Sequence, residues 1–173
     1  MIQLSFQPAL DPFHTMFRFL RLHPILRSNE ALAVEHVRIL DFYIAFPIRA
    51  SDIRVRTEHR RLKAAVLKTG WTLPYGDQPE DKIVLARMEP IQEVALQTLA
   101  AHSLIDGKQL DRGLVQVAEV PVPIAIANRV EIVNTRESNL LAFLSVLAND
   151  YMLTGVGGLK ERSGLLEYRY DAV

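Results

Sequence analysis

A mainly α-helical fold with one small β-hairpin (α+β), in which a winged-helix-like unit sits inside a helical domain, is predicted by three observations. Four stretches, near 13–20, 32–46, 91–104 and 138–151, repeat their apolar residues at spacings of three and four, the signature of helices that bury one face. Asp11-Pro12, Pro47, Gly70 and Pro90 stand where such helices would begin or end. Short-period apolar alternation follows in one interval, from Leu110 to Val117, directly after the turn-forming pair Asp106-Gly107.

Taken in order, Asp11 is a capable N-cap and Pro12 suits a first turn, so Phe13, Met16, Phe17 and Leu20 define a first helix that Pro24 ends or kinks. A second helix runs from about 32 to 46. Its Val34, Val37, Ile39, Leu40, Tyr43 and Ile44 cover nearly the whole circumference, which predicts the central and most buried element. From 58 to 68, Leu62, Ala65 and Val66 lie on one side and Arg60, Arg61 and Lys63 on the other, a surface helix stopped by Gly70. Residues 76–79, Gly-Asp-Gln-Pro, read as a loop. Pro90 fits the first turn of a helix over 91–104, and Leu110, Leu114, Val115 and Val117 supply two short strands after it. A helix closed by a small wing results, a unit that in different proteins binds nucleic acid or other chains.

Pro121 and Pro123 break the strand pattern, and 124–132 fits strand or helix equally. Leu140, Leu141, Phe143, Leu144, Val146 and Leu147 make the stretch from 138 to 151 too apolar for an exposed helix; it requires cover from another element or a partner chain. Gly155, Gly157 and Gly158 form a bend, and the chain ends in a short strand or tail. These divisions give one domain: a helical part over 1–70, the winged-helix-like unit over 82–120, and a C-terminal helix and tail over 121–173.

With 173 residues, of which 49% are apolar, the chain is long enough to bury a sizeable core. Twenty basic and twenty acidic residues cancel, so attraction to nucleic acid or an anionic membrane must be local. The absence of cysteine excludes disulfides, thiolate catalysis and cysteine-based zinc sites. The first ten residues do not form a signal peptide, and no run of about eighteen apolar residues is present, so a cytoplasmic protein without membrane contact is expected.

The sharpest charge feature is Arg49, Arg54, Arg56, Arg60, Arg61, Lys63 and Lys68, opposed over that interval by Asp52 and Glu58. Arg54, Arg56, Arg60, Arg61, Lys63 and Lys68 are the candidates for phosphate contact with nucleic acid, a reading that stands beside a solvated helix face or a dock for an acidic partner. Tyr168, Arg169 and Tyr170 near the end of the chain are candidate partner contacts, since aromatic and arginine side chains anchor interfaces. Five histidines show no zinc-type spacing. Asp77 with Glu80, Asp81 and Lys82 lies in a loop rather than on the adjacent strands a metal-dependent nuclease needs. The glycines at 155–158 lack the lysine and serine of a phosphate loop, and no serine elbow exists. A non-enzymatic chain without cofactor, metal or small-molecule substrate is expected.

Three patches taken together, VRILDFYIAFP over 37–47, MEPIQEVAL over 88–96, and GLKERSGL with YRYD over 158–171, resemble the middle component of bacterial three-component ATPase (ABC-3C) defence systems, as in systems of the Lamassu type. The resemblance implies an accessory subunit that joins a large coiled-coil ATPase, similar to Rad50 and to structural-maintenance-of-chromosomes (SMC) proteins, to an effector, with double-stranded DNA contacted through the complex. It carries over no catalytic residues. The alternative on the residues alone is a winged-helix transcriptional regulator that binds duplex DNA by itself.

Overall fold

The structure, a computed structural model, describes residues 7–72 and 79–166. A 3-10 turn at Pro8–Leu10 leads to Asp11, whose carboxylate accepts the His14 N–H at 2.8 Å and caps α1 (Pro12–Arg21). Pro24 does not end the helical path. The axis breaks at Leu22, and Pro24 falls in the first turn of α2 (His23–Arg27), where its missing N–H costs nothing. The strand β1 (Leu32–Ala33) runs into α3 (Val34–Ala45), whose buried residues His36, Val37, Ile39, Leu40, Asp41, Phe42, Tyr43 and Ile44 leave little of its circumference exposed. A 3-10 turn at Pro47–Ser51 follows, and another at Thr57–His59 feeds α4 (Arg60–Leu67).

The longest helix, α5 (Asp81–Ala101), begins ten residues before the expected start. Pro90 therefore lies in its interior. Pro90 and Ala86 are both exposed, so the Ala86 carbonyl deprived of a donor faces water rather than the core, which is the circumstance that lets an interior proline survive. After it come α6 (Gly107–Leu110), β2 (Leu114–Val115), α7 (Ile124–Arg136), α8 (Ser138–Asn149) and α9 (Leu159–Ser163). The segment left open between strand and helix is thus helical.

The fold class is as expected, mainly α with one small antiparallel β element, but the pairing within that element was only partly legible. Ile105 and Val117 form an antiparallel bridge, with the Asp106 N–H donating to the Gln116 carbonyl, so the chain does turn back on itself. Asp106-Gly107 does not close a two-residue turn, however. The Asp106 carboxylate accepts the Gln109 N–H at 3.0 Å and caps α6, which takes Leu110 into a helix. Leu114 and Val115 then pair antiparallel with Ala33 and Leu32, far away in sequence.

α1 lies along α5 and also touches α3 and α7; α3 is sandwiched between α5 and α8, and α8 also covers α4. Tyr43, Phe42, Ile39, Leu40, Met88, Leu96, Phe143 and Leu144 are fully buried in the shared core, with the Phe42 and Tyr43 rings edge-on at 5.4 Å. The apolar face of α8 is covered by the chain's own α3 and α4, so it does not call for a partner chain.

One charged group sits at the centre of this core. Asp41, fully buried on α3, receives the Arg18 guanidinium from α1 at 2.6 and 3.1 Å and the Gln92 amide from α5 at 2.8 Å. Arg38, one turn before Asp41 on α3, reaches outward to Glu89 at 2.9 Å and Glu93 at 3.0 Å on α5. Arg18 is completed by the Thr15 hydroxyl and the Pro8 carbonyl, so three helices meet at one satisfied ion pair. Nearby, the His36 ring on α3 shares a 3.0 Å hydrogen bond with the Leu147 carbonyl of α8, and burial pushes its pKa down.

Candidate nucleic-acid interface

The basic segment from Arg49 to Lys68 separates into three kinds of residue. Arg49 is buried and donates to Asp81 and to the Pro79 carbonyl, so it joins the start of α5 to the 3-10 turn after α3. Asp81, one member of the acidic set weighed for a metal site, is thereby an ion-pair partner, and Asp77 lies outside the described residues. Among the described residues no group of three or more histidine and acidic side chains could hold a metal ion.

Lys63 is also committed. Its ammonium donates to the Ser51 carbonyl at 2.6 Å and the Ile53 carbonyl at 2.8 Å, closing the end of the 3-10 turn, and partial burial lowers its pKa, an effect that Asp52 opposes. Arg54 donates to the Glu161 carbonyl at 2.8 Å, while Arg162 donates back to the Arg54 carbonyl at 3.1 Å, so this stretch is stitched to α9 from both sides.

Arg56 belongs to a cluster that the sequence did not reveal. The buried Tyr151 hydroxyl accepts the Arg56 N–H at 2.9 Å and shares a 2.7 Å hydrogen bond with His59 Nδ1, whose Nε2 lies 3.1 Å from the Asp150 carboxylate. The Arg56 and Arg162 guanidinium carbons stand 4.9 and 5.2 Å from the Tyr151 ring centroid. Asp150, His59 and Tyr151 thus form a chain from carboxylate through imidazole to phenol, and it holds the entry to α4 against the end of α8. Tyr151→Phe removes the acceptor for a part-buried backbone N–H and the phenol partner of His59, and is expected to destabilise the fold by about 1–3 kcal/mol, measured as a lower urea midpoint at unchanged slope.

Arg60, Arg61 and Lys68 are different. They are exposed, and among the described residues their side chains make no hydrogen bond or ion pair. Arg61 and Lys68 are seven positions apart, nearly in line along α4, with Arg60 about one quarter-turn round. Of the six residues proposed for phosphate contact, these three keep their charge available, Arg54 and Arg56 share theirs with backbone and ring, and Lys63 is a structural brace. The partner-contact candidates Tyr168, Arg169 and Tyr170 lie outside the described residues.

Away from these residues, an open apolar cleft of about 600 Å3 lies between α1, α2, the segment before α7, α7 itself and the start of α8, with Leu20, Pro24, Val120, Val122, Val130 and Leu141 among its walls. His23 on its rim has its pKa lowered by partial burial and by Arg27.

By fold and surface the class is a mainly helical protein built round one core and braced by ion pairs, with Arg60, Arg61 and Lys68, on and just after α4, unpaired among the described residues. The chain belongs to the family of the ABC-three component (ABC-3C) system Middle Component 5, whose model matches residues 4–171. It is therefore a middle component, an accessory subunit of a three-component defence system. No curated protein and no solved structure shows significant similarity to it. No helix among the described residues is long and apolar enough to cross a membrane.

Proposed function

We propose that this chain is a non-catalytic, cytoplasmic adaptor of a Lamassu-type system, a single domain that links a coiled-coil ATPase of the SMC/Rad50 kind to an effector and meets double-stranded DNA held by that ATPase. The observation that carries the reading is the family match over nearly the whole chain, which makes assembly with other components its business. Arg60, Arg61 and Lys68, whose side chains have no partner among the described residues, support the DNA contact, because guanidinium and ammonium groups not already committed to other residues are free to neutralise phosphate. In this reading α5 and the loop closed by Ile105 and Val117 serve as the winged-helix-like part, used for contact with protein rather than for reading bases.

Co-purification tests it. Tagged chain, expressed with the products of its adjacent genes, is expected to recover a large ATPase and an effector in fixed ratio, read by native mass, and to retain a short duplex in the assembled state. Recovery of the chain alone, bound tightly to duplex with steep salt dependence, would instead make it a DNA-binding regulator.

A further inference from the structure

Of the nine exposed large apolar side chains in the described residues, four, Val120, Ile124, Ile126 and Ile132, fall within one stretch of thirteen positions. Ile124 is 75% exposed and Ile132 is 53% exposed, and with the exposed Asn128 they form a ridge at four-residue spacing along the outer side of α7. The inner side is fixed. Arg21 of α1 donates to the Asn134 side chain at 3.0 Å and to Glu137 at 2.6 Å, the Asn134 amide returns a bond to the Arg21 carbonyl, and Val130 is buried. The helix cannot roll to hide its isoleucines, so the ridge is presented outward as a formed surface.

We propose that α7 is a self-association surface, on which a second copy of this chain lays its own α7 antiparallel about a two-fold axis at Asn128. The ridge is symmetric about that residue: four positions on either side stand Ile124 and Ile132, so each isoleucine meets the other kind from the partner copy, and Asn128 faces Asn128. A lone polar residue in an apolar seam is a register-setting device, because any slip buries the amide without a partner. The charges agree. Antiparallel pairing carries Arg136, at the end of α7, to the other copy's segment before its α7, where Glu119 stands; both are exposed and, among the described residues, neither is ion-paired. A thirteen-residue helix is about 20 Å long, so the buried area falls at the low end for a specific interface and the dimer dissociates in the micromolar range or above. This inference stands apart from the identity of the other components, since it is tested on the chain alone.

Sedimentation equilibrium of the full chain, from low to several hundred micromolar, is expected to show the mass rising from 19.6 kDa towards twice that value. Ile132→Glu and Ile124→Glu, at exposed positions, are expected to remain at the single-chain mass throughout. Glu119→Arg and Arg136→Glu are each expected to weaken association, and the double reversal to restore it. Because the chain has no cysteine, Asn128→Cys supplies a sole thiol that is expected to oxidise rapidly to a covalent dimer, where Arg61→Cys on α4 does not. A single-chain mass at every concentration overturns the proposal, and is the result if a helix of another component covers the ridge instead. A dimer indifferent to Ile132→Glu, or one that Asn128→Cys fails to trap, overturns it equally.

Discussion

Replacing Asp41 with alanine is expected to lower the unfolding free energy by about 3–5 kcal/mol, a large share of the roughly 5–15 kcal/mol that holds a domain folded. The cost comes from what remains rather than from what is removed. Arg18 is 6% exposed, and without Asp41 its Nε–H and one terminal amino group point into the core with no carboxylate to receive them. Guanidinium does not deprotonate in proteins, so it cannot escape the penalty by neutralising. Gln92, fully buried and with a side-chain oxygen that has no partner among the described residues, loses the shorter of its amide's two hydrogen bonds in the same substitution and keeps the one to the Arg38 carbonyl at 3.4 Å. Changing Arg18 and Asp41 together to methionine and leucine is expected to recover most of the stability, since an apolar pair of similar volume avoids both desolvation terms. Urea unfolding of the two variants separates these cases: a double variant as unstable as Asp41→Ala would show that the pair does more than satisfy its own charges.

The second large effect concerns the free cations. In the assembled complex, Arg60→Glu, Arg61→Glu and Lys68→Glu combined are expected to weaken binding to a short duplex by roughly two to three orders of magnitude at about 0.1 M salt. The slope of log K against log salt is expected to fall by about 0.9 for each phosphate no longer neutralised, and alike for every duplex sequence. Lys63 must be left in place, because its ammonium closes the Ser51 and Ile53 carbonyls and its reversal would damage the turn before α4. Unchanged affinity of a complex carrying the triple variant, with α4 intact by circular dichroism, would assign this face to solvent or to an acidic protein surface.

How much of this is readable from the sequence differs from element to element. The cap at Asp11 and the burial of α3 are local matters, encoded in one residue type or one periodicity, and they were legible. Pro90 misled because the rule that places proline in a first turn ignores whether the bereft carbonyl can reach water. Asp106-Gly107 misled because an aspartate before glycine suits a helix cap as well as a hairpin, and only the partner of Leu114 and Val115 decides between them. At the candidate site the positive charge of residues 54–68 was visible at once, while the fact that Lys63 and Arg56 are occupied was not. Their partners, a turn's carbonyls for Lys63 and a tyrosine ring 95 positions along for Arg56, leave no periodic trace. The Asp150, His59 and Tyr151 chain was hidden for the same reason. Tyr168, Arg169 and Tyr170 remain expectations of the sequence.

The pairing of β1 with β2 also sets a timetable for the chain's birth. Leu32 and Ala33 find their partners about eighty residues later, which at about 5–20 residues per second means roughly 4–16 s of synthesis before that ladder can close. For most of this interval α3 has emerged with its apolar circumference uncovered; α5, which flanks it on one side in the finished molecule, is made late in the interval, and α8, on the other side, only after it. Loop closure over so long a span is entropically slow, and an early stop before residue 114 leaves a fragment with a hydrophobic helix and no sheet partner. The nascent chain therefore carries uncovered apolar surface, of the kind that chaperones and aggregation both act on, until its last third has been translated.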